Sequence, residues 1–117
     1  MHELGVTFYV VRDVKKVAEE NGIDRIDFVT LEIGEVSGVI NEQLTDCWNW
    51  ARKKEKVTEN TELIIENLEA VSFCECCQRE FGTIDYGKTC PYCGGGNTYL
   101  LRGNEFNIKE IGVYDNT

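Results

Sequence analysis

The 117-residue chain is long enough for one domain with a modest core, since 42% of its residues are hydrophobic. It carries 12 basic and 21 acidic side chains, giving a formal net charge of −9. Binding to nucleic acid depends mainly on neutralised phosphates, so this balance weighs against a nucleic-acid partner. No leader-like segment and no membrane-length apolar stretch is visible, so we expect a cytoplasmic protein without a membrane partner.

Two segments are predicted to form amphipathic helices. In the first, roughly residues 5–21, apolar side chains recur at spacings of three and four, and Asn21-Gly22 favours a helix end. The second follows Asn41, a residue type suited to a helix N-cap. The apolar positions of the two helices are Val10, Val14, Val17 and Ala18 in the first and Leu44, Cys47, Trp48 and Ala51 in the second. Cys47 is therefore interpreted as a packing residue rather than a nucleophile.

Three β-rich stretches are predicted at residues 24–33, 62–68 and 99–113, where apolar and polar residues alternate. With the helices, they predict an α+β, two-layer fold in which two helices pack on a small three-stranded sheet. The cysteine-rich segment lies between the last two strands, so we expect an inserted zinc-ribbon domain. The predicted domains are residues 1–70 plus 99–117, and residues 71–98.

The strongest motif is Cys74-Glu75-Cys76-Cys77 followed, after twelve residues, by Cys90-Pro91-Tyr92-Cys93. Two C-x-x-C pairs at this separation are typical of a tetrahedral zinc site. The favoured ligands are Cys74, Cys77, Cys90 and Cys93, because they preserve both spacings, whereas the neighbouring Cys76 is a competing thiol. Four thiolates leave no open position for a catalytic water, so the zinc is expected to be structural and no catalytic residue is assigned.

The start of the chain offers a second set of metal ligands. His2 is the only histidine, and its imidazole lies close in sequence to the Met1 α-amine and to backbone amides. Nitrogen-rich square-planar coordination suits Ni(II) or Cu(II), and Glu3 adds a nearby carboxylate. The alternative is that His2 is only a solvated residue near a terminus.

The sequence resembles the HypA/HybF family of hydrogenase-maturation nickel chaperones over nearly its whole length. The cysteine spacing and four further segments carry this resemblance. The segments are Met1-His2-Glu3-Leu4, Leu31-Glu32-Ile33-Gly34-Glu35-Val36-Ser37-Gly38-Val39, Leu63-Ile64-Ile65-Glu66 and Gly103-Asn104-Glu105-Phe106-Asn107-Ile108. Gly5 departs from the serine or alanine of many relatives, but the Met1-His2-Glu3 tripeptide is intact.

The resemblance implies a non-enzymatic nickel carrier. Nickel would bind at Met1, His2 and Glu3, with His2 as the principal side chain and Glu3 in support, and zinc would bind the four cysteines. The implied partners are the GTPase HypB and a [NiFe]-hydrogenase large subunit, and in some relatives urease maturation proteins. A monomer and a homodimer are both compatible with the sequence.

Two other classes of protein are alternatives to the nickel carrier. The first is a zinc-ribbon module that binds protein or nucleic acid and holds no second metal. The second is a thiol oxidoreductase, which would require accessible thiolates of low pKa that are free of zinc.

Overall fold

The computed structural model describes residues 3–114 of the chain. The elements in chain order are α1 (Glu3–Glu20), β1 (Phe28–Gly34), α2 (Asn41–Ala51), a 3₁₀ turn (Arg52–Lys54), β2 (Glu62–Leu68), β3 (Val71–Cys74), β4 (Glu80–Gly82), α3 (Thr83–Tyr86), β5 (Thr98–Arg102) and β6 (Phe106–Gly112). The predicted α+β class is confirmed. Among the described residues, no helix is long and apolar enough to cross a membrane.

The predicted strand at residues 99–113 is in fact two strands that belong to different sheets. One sheet has the order β2-β1-β6 and the other has the order β4-β3-β5. Between β5 and β6 the chain turns at Gly103, which has a φ of +119°. Residues 102–105 interrupt the apolar pattern, and Gly103-Asn104 is a turn signal that the prediction of a single strand overlooked.

Backbone hydrogen bonds define the directions of the strands in the first sheet. Glu62 N–H donates to Asp27 O, and Glu35 N–H donates to Leu68 O, so β1 and β2 run parallel. Asp27 N–H donates to Gly112 O, and Gly34 N–H donates to Glu105 O, so β1 and β6 run antiparallel. A parallel β1–β2 pair requires a crossover, and α2 lies in the intervening chain.

The structure divides into two compact units, and the first contains residues 3–32, 39–66 and 107–114. The predicted apolar positions of both helices supply its core: Val10, Val14 and Ala18 in α1 and Leu44, Trp48 and Ala51 in α2 are buried. The indole of Trp48 donates a hydrogen bond to the Thr61 carbonyl at 3.0 Å, so its one polar atom is satisfied inside the core. The predicted packing residue Cys47 is half-buried.

The second unit contains residues 33–38 and 67–106. In its sheet, β3 pairs antiparallel with both β4 and β5, and the register against β5 shifts between Val71 and Ser72. Glycine is required at position 103 for two reasons. A Cβ there would lie 2.4 Å from Ala70 Cα, and the φ of residue 103 is unfavourable for a residue with a side chain. The carboxylate of Glu35 accepts a hydrogen bond from Ala70 N–H at 2.6 Å.

The compact units have different bounds from the predicted domains. Residues 67–70 and 99–106 lie in the second unit, whereas the sequence prediction placed them in the first domain, 1–70 plus 99–117. The pairing of β5 with β3 accounts for the later segment, since it ties residues 98–102 to the cysteine-bearing sheet. The assignment of one domain to nickel and the other to zinc stays a prediction.

Candidate metal centre

The structure brings Cys74, Cys77, Cys90 and Cys93 together in the second unit. Their sulfur atoms all lie within 4.8 Å of one another. Cys74 and Cys90 are buried, Cys77 is half-buried and Cys93 is exposed, so the group is partly accessible to solvent. Cys74 closes β3, while the other three cysteines lie in turns.

The two C-x-x-C segments form equivalent turns. Gln78 N–H donates to Cys74 O at 2.8 Å, and the corresponding Gly94 N–H donates to Cys90 O at 2.9 Å. The first cysteine of each turn also donates its own N–H five residues onward, Cys74 to Arg79 O and Cys90 to Gly95 O. The repeated hydrogen bonds give the site an approximate twofold arrangement, with one turn supplying each pair of sulfurs.

Gln78 occupies the position at which the other turn has Gly94. Both have a left-handed backbone, with a φ of 57° at Gln78 and 73° at Gly94. Gln78 is the one non-glycine residue with positive φ in the described part of the chain. The first turn therefore has the same geometry as the second, with the conformational cost borne by Gln78.

Backbone N–H groups point at the sulfurs and set their ionisation. The N–H of Cys77 lowers the pKa of Cys74. Burial opposes ionisation of Cys90, but the N–H groups of Cys93 and Tyr92 outweigh it and lower the pKa of Cys90 to about 7. In each turn the first cysteine therefore ionises most readily, since thiolates accept hydrogen bonds better than thiols.

The second cysteine of each turn holds its proton more firmly in the metal-free site. Burial raises the pKa of Cys77 to about 12, and hydrogen bonds to the sulfurs of Cys90 and Cys74 act in the same direction. The N–H of Gly95 favours the thiolate of Cys93, but contact with Cys74 and burial together raise the pKa of Cys93. A divalent metal must displace these protons, so metal binding to this group releases protons.

The sulfur positions fit a tetrahedral ion of the size of zinc. A Zn–S bond of about 2.3 Å corresponds to a sulfur–sulfur edge of about 3.8 Å in a regular tetrahedron. The Cys74–Cys93 sulfur distance is 3.6 Å and the Cys77–Cys90 distance is 3.5 Å, so each close pair joins the two turns. A small contraction of the other distances would complete the tetrahedron.

Cys76, which the sequence presented as a competing thiol, is exposed and is not in the four-sulfur group. The Cys76 sulfur nevertheless lies near the second turn, because a Cβ added to Gly95 would lie 3.9 Å from it. The four-sulfur group includes Cys77, and the choice of Cys77 over Cys76 as a ligand stays a prediction.

The predicted nickel ligands Met1 and His2 lie outside the described residues. Glu3, the third predicted residue, is half-buried within α1, and its Oε1 accepts a hydrogen bond from the Ile40 N–H at 3.3 Å. Ile40 is the N-cap of α2, and no side-chain hydrogen bond caps the helix there. The sequence prediction of Asn41 as the cap is therefore wrong by one residue. The Glu3–Ile40 bond joins residues 37 apart, so no local sequence signal could have indicated it.

The fold and the four-thiol group define a small α+β protein with a closed tetracysteine metal site. The family model described as "Hydrogenase/urease nickel incorporation, metallochaperone, hypA" matches residues 1–113. The chain belongs to this HypA family, which confirms the resemblance found in the sequence. Because the family consists of metallochaperones and maturation factors, the expectation of a non-enzymatic protein is also confirmed.

Curated relatives align over nearly the full chain. The hydrogenase maturation factor HypA of Chlorobium phaeobacteroides (strain BS1) is 34% identical over 113 residues, covering 97% of this chain and 99% of the relative. The protein of the same name from Geotalea daltonii (strain DSM 22248 / JCM 15807 / FRC-32) is 36% identical over 114 residues, with 97% and 99% coverage.

Solved structures agree with the fold. The solution structure of the nickel metallochaperone HypA from Helicobacter pylori superposes with a TM-score of 0.69 at 24% identity, covering 96% of this chain and 97% of that chain. A second solution structure of a HypA protein has a TM-score of 0.73 at 24% identity, with 97% of each chain covered.

Proposed function

We propose that this protein is a nickel metallochaperone that binds Ni(II) at its N-terminus and delivers it during [NiFe]-hydrogenase maturation. The proposal rests on the family match, which begins at residue 1 and therefore includes the Met1-His2-Glu3 segment. The ligands are the Met1 α-amine, the His2 imidazole and nearby backbone amides. Nitrogen ligands of this kind favour Ni(II) in a square plane, and the weak coordination of a short peptide suits a carrier that must also release its ion.

The four cysteines hold a structural Zn(II) in this proposal. Close sulfur–sulfur distances of 3.5 and 3.6 Å support a four-coordinate tetrahedral ion. A shell filled by four thiolates has no free position for nickel exchange or for a reactive water. The six cysteines are free thiols in the described chain, which supports a reducing, cytoplasmic location.

Glu3 supports the nickel site rather than serving as its principal ligand. Its carboxylate accepts the Ile40 N–H, so it connects the first turn of α1 to the start of α2. We expect Glu3→Gln, which retains an amide oxygen as acceptor, to keep the helices folded while weakening nickel binding. A variant that binds nickel with unchanged affinity would remove Glu3 from the site.

The proposed partners are the GTPase HypB and the [NiFe]-hydrogenase large subunit. The family description names both hydrogenase and urease as destinations of nickel, and urease maturation proteins are a second possible set of acceptors. Competition for nickel-loaded protein between purified hydrogenase and urease acceptors, followed by metal analysis of each, would identify the destination.

A nickel titration of zinc-loaded protein tests the central proposal. The chain has one histidine, so His2→Gln removes every imidazole in a single substitution. We expect the parent protein to bind about one Ni(II) with a weak d–d absorption band of square-planar coordination, and the variant to lose that binding. Zinc content, measured in the same samples, should be equal in the two proteins. Nickel binding that persists in the variant would overturn the N-terminal site.

An N-terminal extension distinguishes the nickel carrier from a zinc-ribbon module that holds no second metal. A few residues placed before Met1 convert its amine into an amide and should abolish nickel binding without changing zinc content. A Cys76→Ser variant is the matched control, because Cys76 is an exposed thiol outside the four-cysteine group. If the parent, extended and control proteins all fail to bind nickel, the zinc-ribbon module becomes the better description.

A further inference from the structure

Three large aromatic side chains are exposed on the two long helices of the first unit. Phe8 is 41% exposed, Tyr9 50% and Trp50 51%. The rings of Phe8 in α1 and Trp50 in α2 meet edge to face, with centroids 5.7 Å apart. They therefore form part of one continuous surface, and neither the core nor the proposed metal sites use it. Contiguous exposed aromatic surface of this kind marks interaction sites in soluble proteins.

Cationic side chains cover two of these rings. The ammonium of Lys54 lies 4.3 Å from the centroid of Trp50, and the guanidinium of Arg12 lies 5.3 Å from the centroid of Tyr9. We call Phe8, Tyr9, Arg12, Trp50 and Lys54 the aromatic–basic surface. Each cation–π contact holds a charged group beside exposed apolar area, which combines hydrophobic and electrostatic recognition in one place.

The two segments that contain Arg12 and Lys54 of this surface are basic, although the exposed Asp46 lies one helical turn before Trp50. Residues 12–16 and 52–56 contain seven of the twelve basic side chains of the protein and only two acidic ones, Asp13 and Glu55. One acid–base pair is formed between them, Lys15 with Glu55 at 3.3 Å. The Nε atom of Arg12 also lies 4.0 Å from Oδ1 of Asp13, but both side chains are accessible to solvent, so this ion pair is weak. A basic region therefore persists on a protein whose net charge is −9.

We infer that the aromatic–basic surface docks a folded protein partner that presents carboxylates around an apolar patch. Aromatic and arginine side chains are enriched at the cores of protein–protein interfaces, and buried aromatic anchors contribute most of the binding energy there. The local positive charge selects an acidic partner and accelerates encounter with it. The overall charge of −9 opposes nucleic acid and anionic membranes, which are also polyanionic.

The position of the surface on α1 indicates which partner it serves. Phe8 follows Glu3 by five residues, which is about 7.5 Å along a helix axis. A protein docked on Phe8 and Trp50 thus lies close to the N-terminal end of the helix that carries Glu3. This assignment rests on the proposed function, because it identifies the occupant as a protein with which nickel is exchanged.

The test measures binding of the zinc-loaded, nickel-free protein to purified HypB and, separately, to the hydrogenase large subunit. Leaving nickel out makes the result independent of whether the N-terminal site exists. Trp50→Ala removes the anchor and Lys54→Glu reverses a charge at the surface. Lys88→Glu is the matched control, since Lys88 is an exposed lysine of the second unit and its reversal changes the net charge equally.

We expect Trp50→Ala and Lys54→Glu each to weaken binding of at least one partner by about tenfold or more, with no change for Lys88→Glu. Affinity of the parent protein should fall as salt rises, and the slope should be smaller for Lys54→Glu. With fluorinated tryptophan, the ¹⁹F signal of exposed Trp50 should shift on binding while that of buried Trp48 stays in place.

Equal loss in Lys54→Glu and Lys88→Glu would overturn the inference, because total charge rather than this surface would then control affinity. Unchanged affinity in Trp50→Ala, or failure of both partners to bind the parent protein, would overturn it as well. Binding of phosphatidylserine vesicles or single-stranded RNA more tightly than either protein would assign the surface to another class of ligand. Circular dichroism of each variant verifies folding, and Tyr9→Ser serves as a second aromatic variant.

Discussion

The two compact units are stabilised by different chemistry. In the first, hydrocarbon side chains from both helices and the sheet form a core that includes Val14, Leu31, Leu44 and Trp48, each no more than 1% exposed. Around the metal centre of the second unit, the buried cluster consists of Cys74, Phe81 and Cys90, with Cys77 packed against it. Three of these four residues are proposed metal ligands, so in this proposal coordination supplies what a larger apolar core supplies in the first unit.

Removal of metal should produce the largest difference between the units. Cys77→Ser, or treatment with a strong chelator, should unfold the residues around the metal centre, because structural zinc contributes an apparent free energy of about 10 kcal/mol or more at neutral pH. Amide spectra should show loss of signals from residues 71–102 while those of α1 and α2 persist. Cys76→Ser changes the adjacent thiol and should retain both zinc and the spectrum. If the second unit stayed folded in chelator, the expectation that metal coordination stabilises this unit would be contradicted.

The reverse experiment weakens the first unit without touching the cysteines. Trp48→Ala removes a buried indole that is 1% exposed and should lower the free energy of unfolding by about 3–5 kcal/mol. Trp50→Ala, two residues along the same helix, should cost less than about 1 kcal/mol, because that side chain is 51% exposed. Urea unfolding followed by circular dichroism measures both variants, and zinc content should remain at one ion per chain. Equal destabilisation by the two substitutions would contradict the placement of Trp48 in the core and Trp50 on the surface.

A smaller effect is expected where the two metal-binding turns differ. Gln78 has a left-handed backbone that costs a residue with a side chain about 1 kcal/mol, whereas Gly94 in the other turn has no such cost. Gln78→Gly should therefore raise the stability of the second unit by up to about 1 kcal/mol, and Gly94→Ala should lower it by a similar amount. Zinc competition against a chelator gives the readout. A change of the same sign in the two variants would show that the turns are not equivalent.

The smallest expected effect is a pH dependence in the first unit. The hydroxyl of Tyr114 donates to the Glu62 carboxylate at 2.9 Å, and this hydrogen bond is the main reason that the pKa of Tyr114 is raised. A raised pKa means that the contact stabilises the fold fully below the unfolded value, about 10, and that this stabilisation is lost as pH rises through the folded value. Tyrosinate absorbance should therefore develop at lower pH in Glu62→Gln. Glu66→Gln, whose carboxylate contacts Lys109 instead, should leave the titration of Tyr114 unchanged.

Much of the fold was predictable because its signals are local and periodic. The apolar positions of both helices recur every three to four residues, and six of the eight named positions are buried in the structure, while Val17 and Cys47 are half-buried. The four-cysteine group was predictable because the two C-x-x-C spacings determine which sulfurs can face one ion. The division of residues 99–113 into β5 and β6 was missed although Gly103-Asn104 is a turn signal, whereas the close approach of Gly103 to Ala70 depends on tertiary packing.

The sequence by itself determined the four-cysteine group of the second unit and the family of the protein, because cysteine identity and spacing are read directly along the chain. Only the tertiary structure decided which residues from distant segments meet. It placed Gln78 in the same turn geometry as Gly94, joined the Glu3 carboxylate to the Ile40 N–H, and brought the rings of Phe8 and Trp50 into contact. These contacts depend on how helices and turns pack in three dimensions, and residue spacing along the chain does not specify that packing.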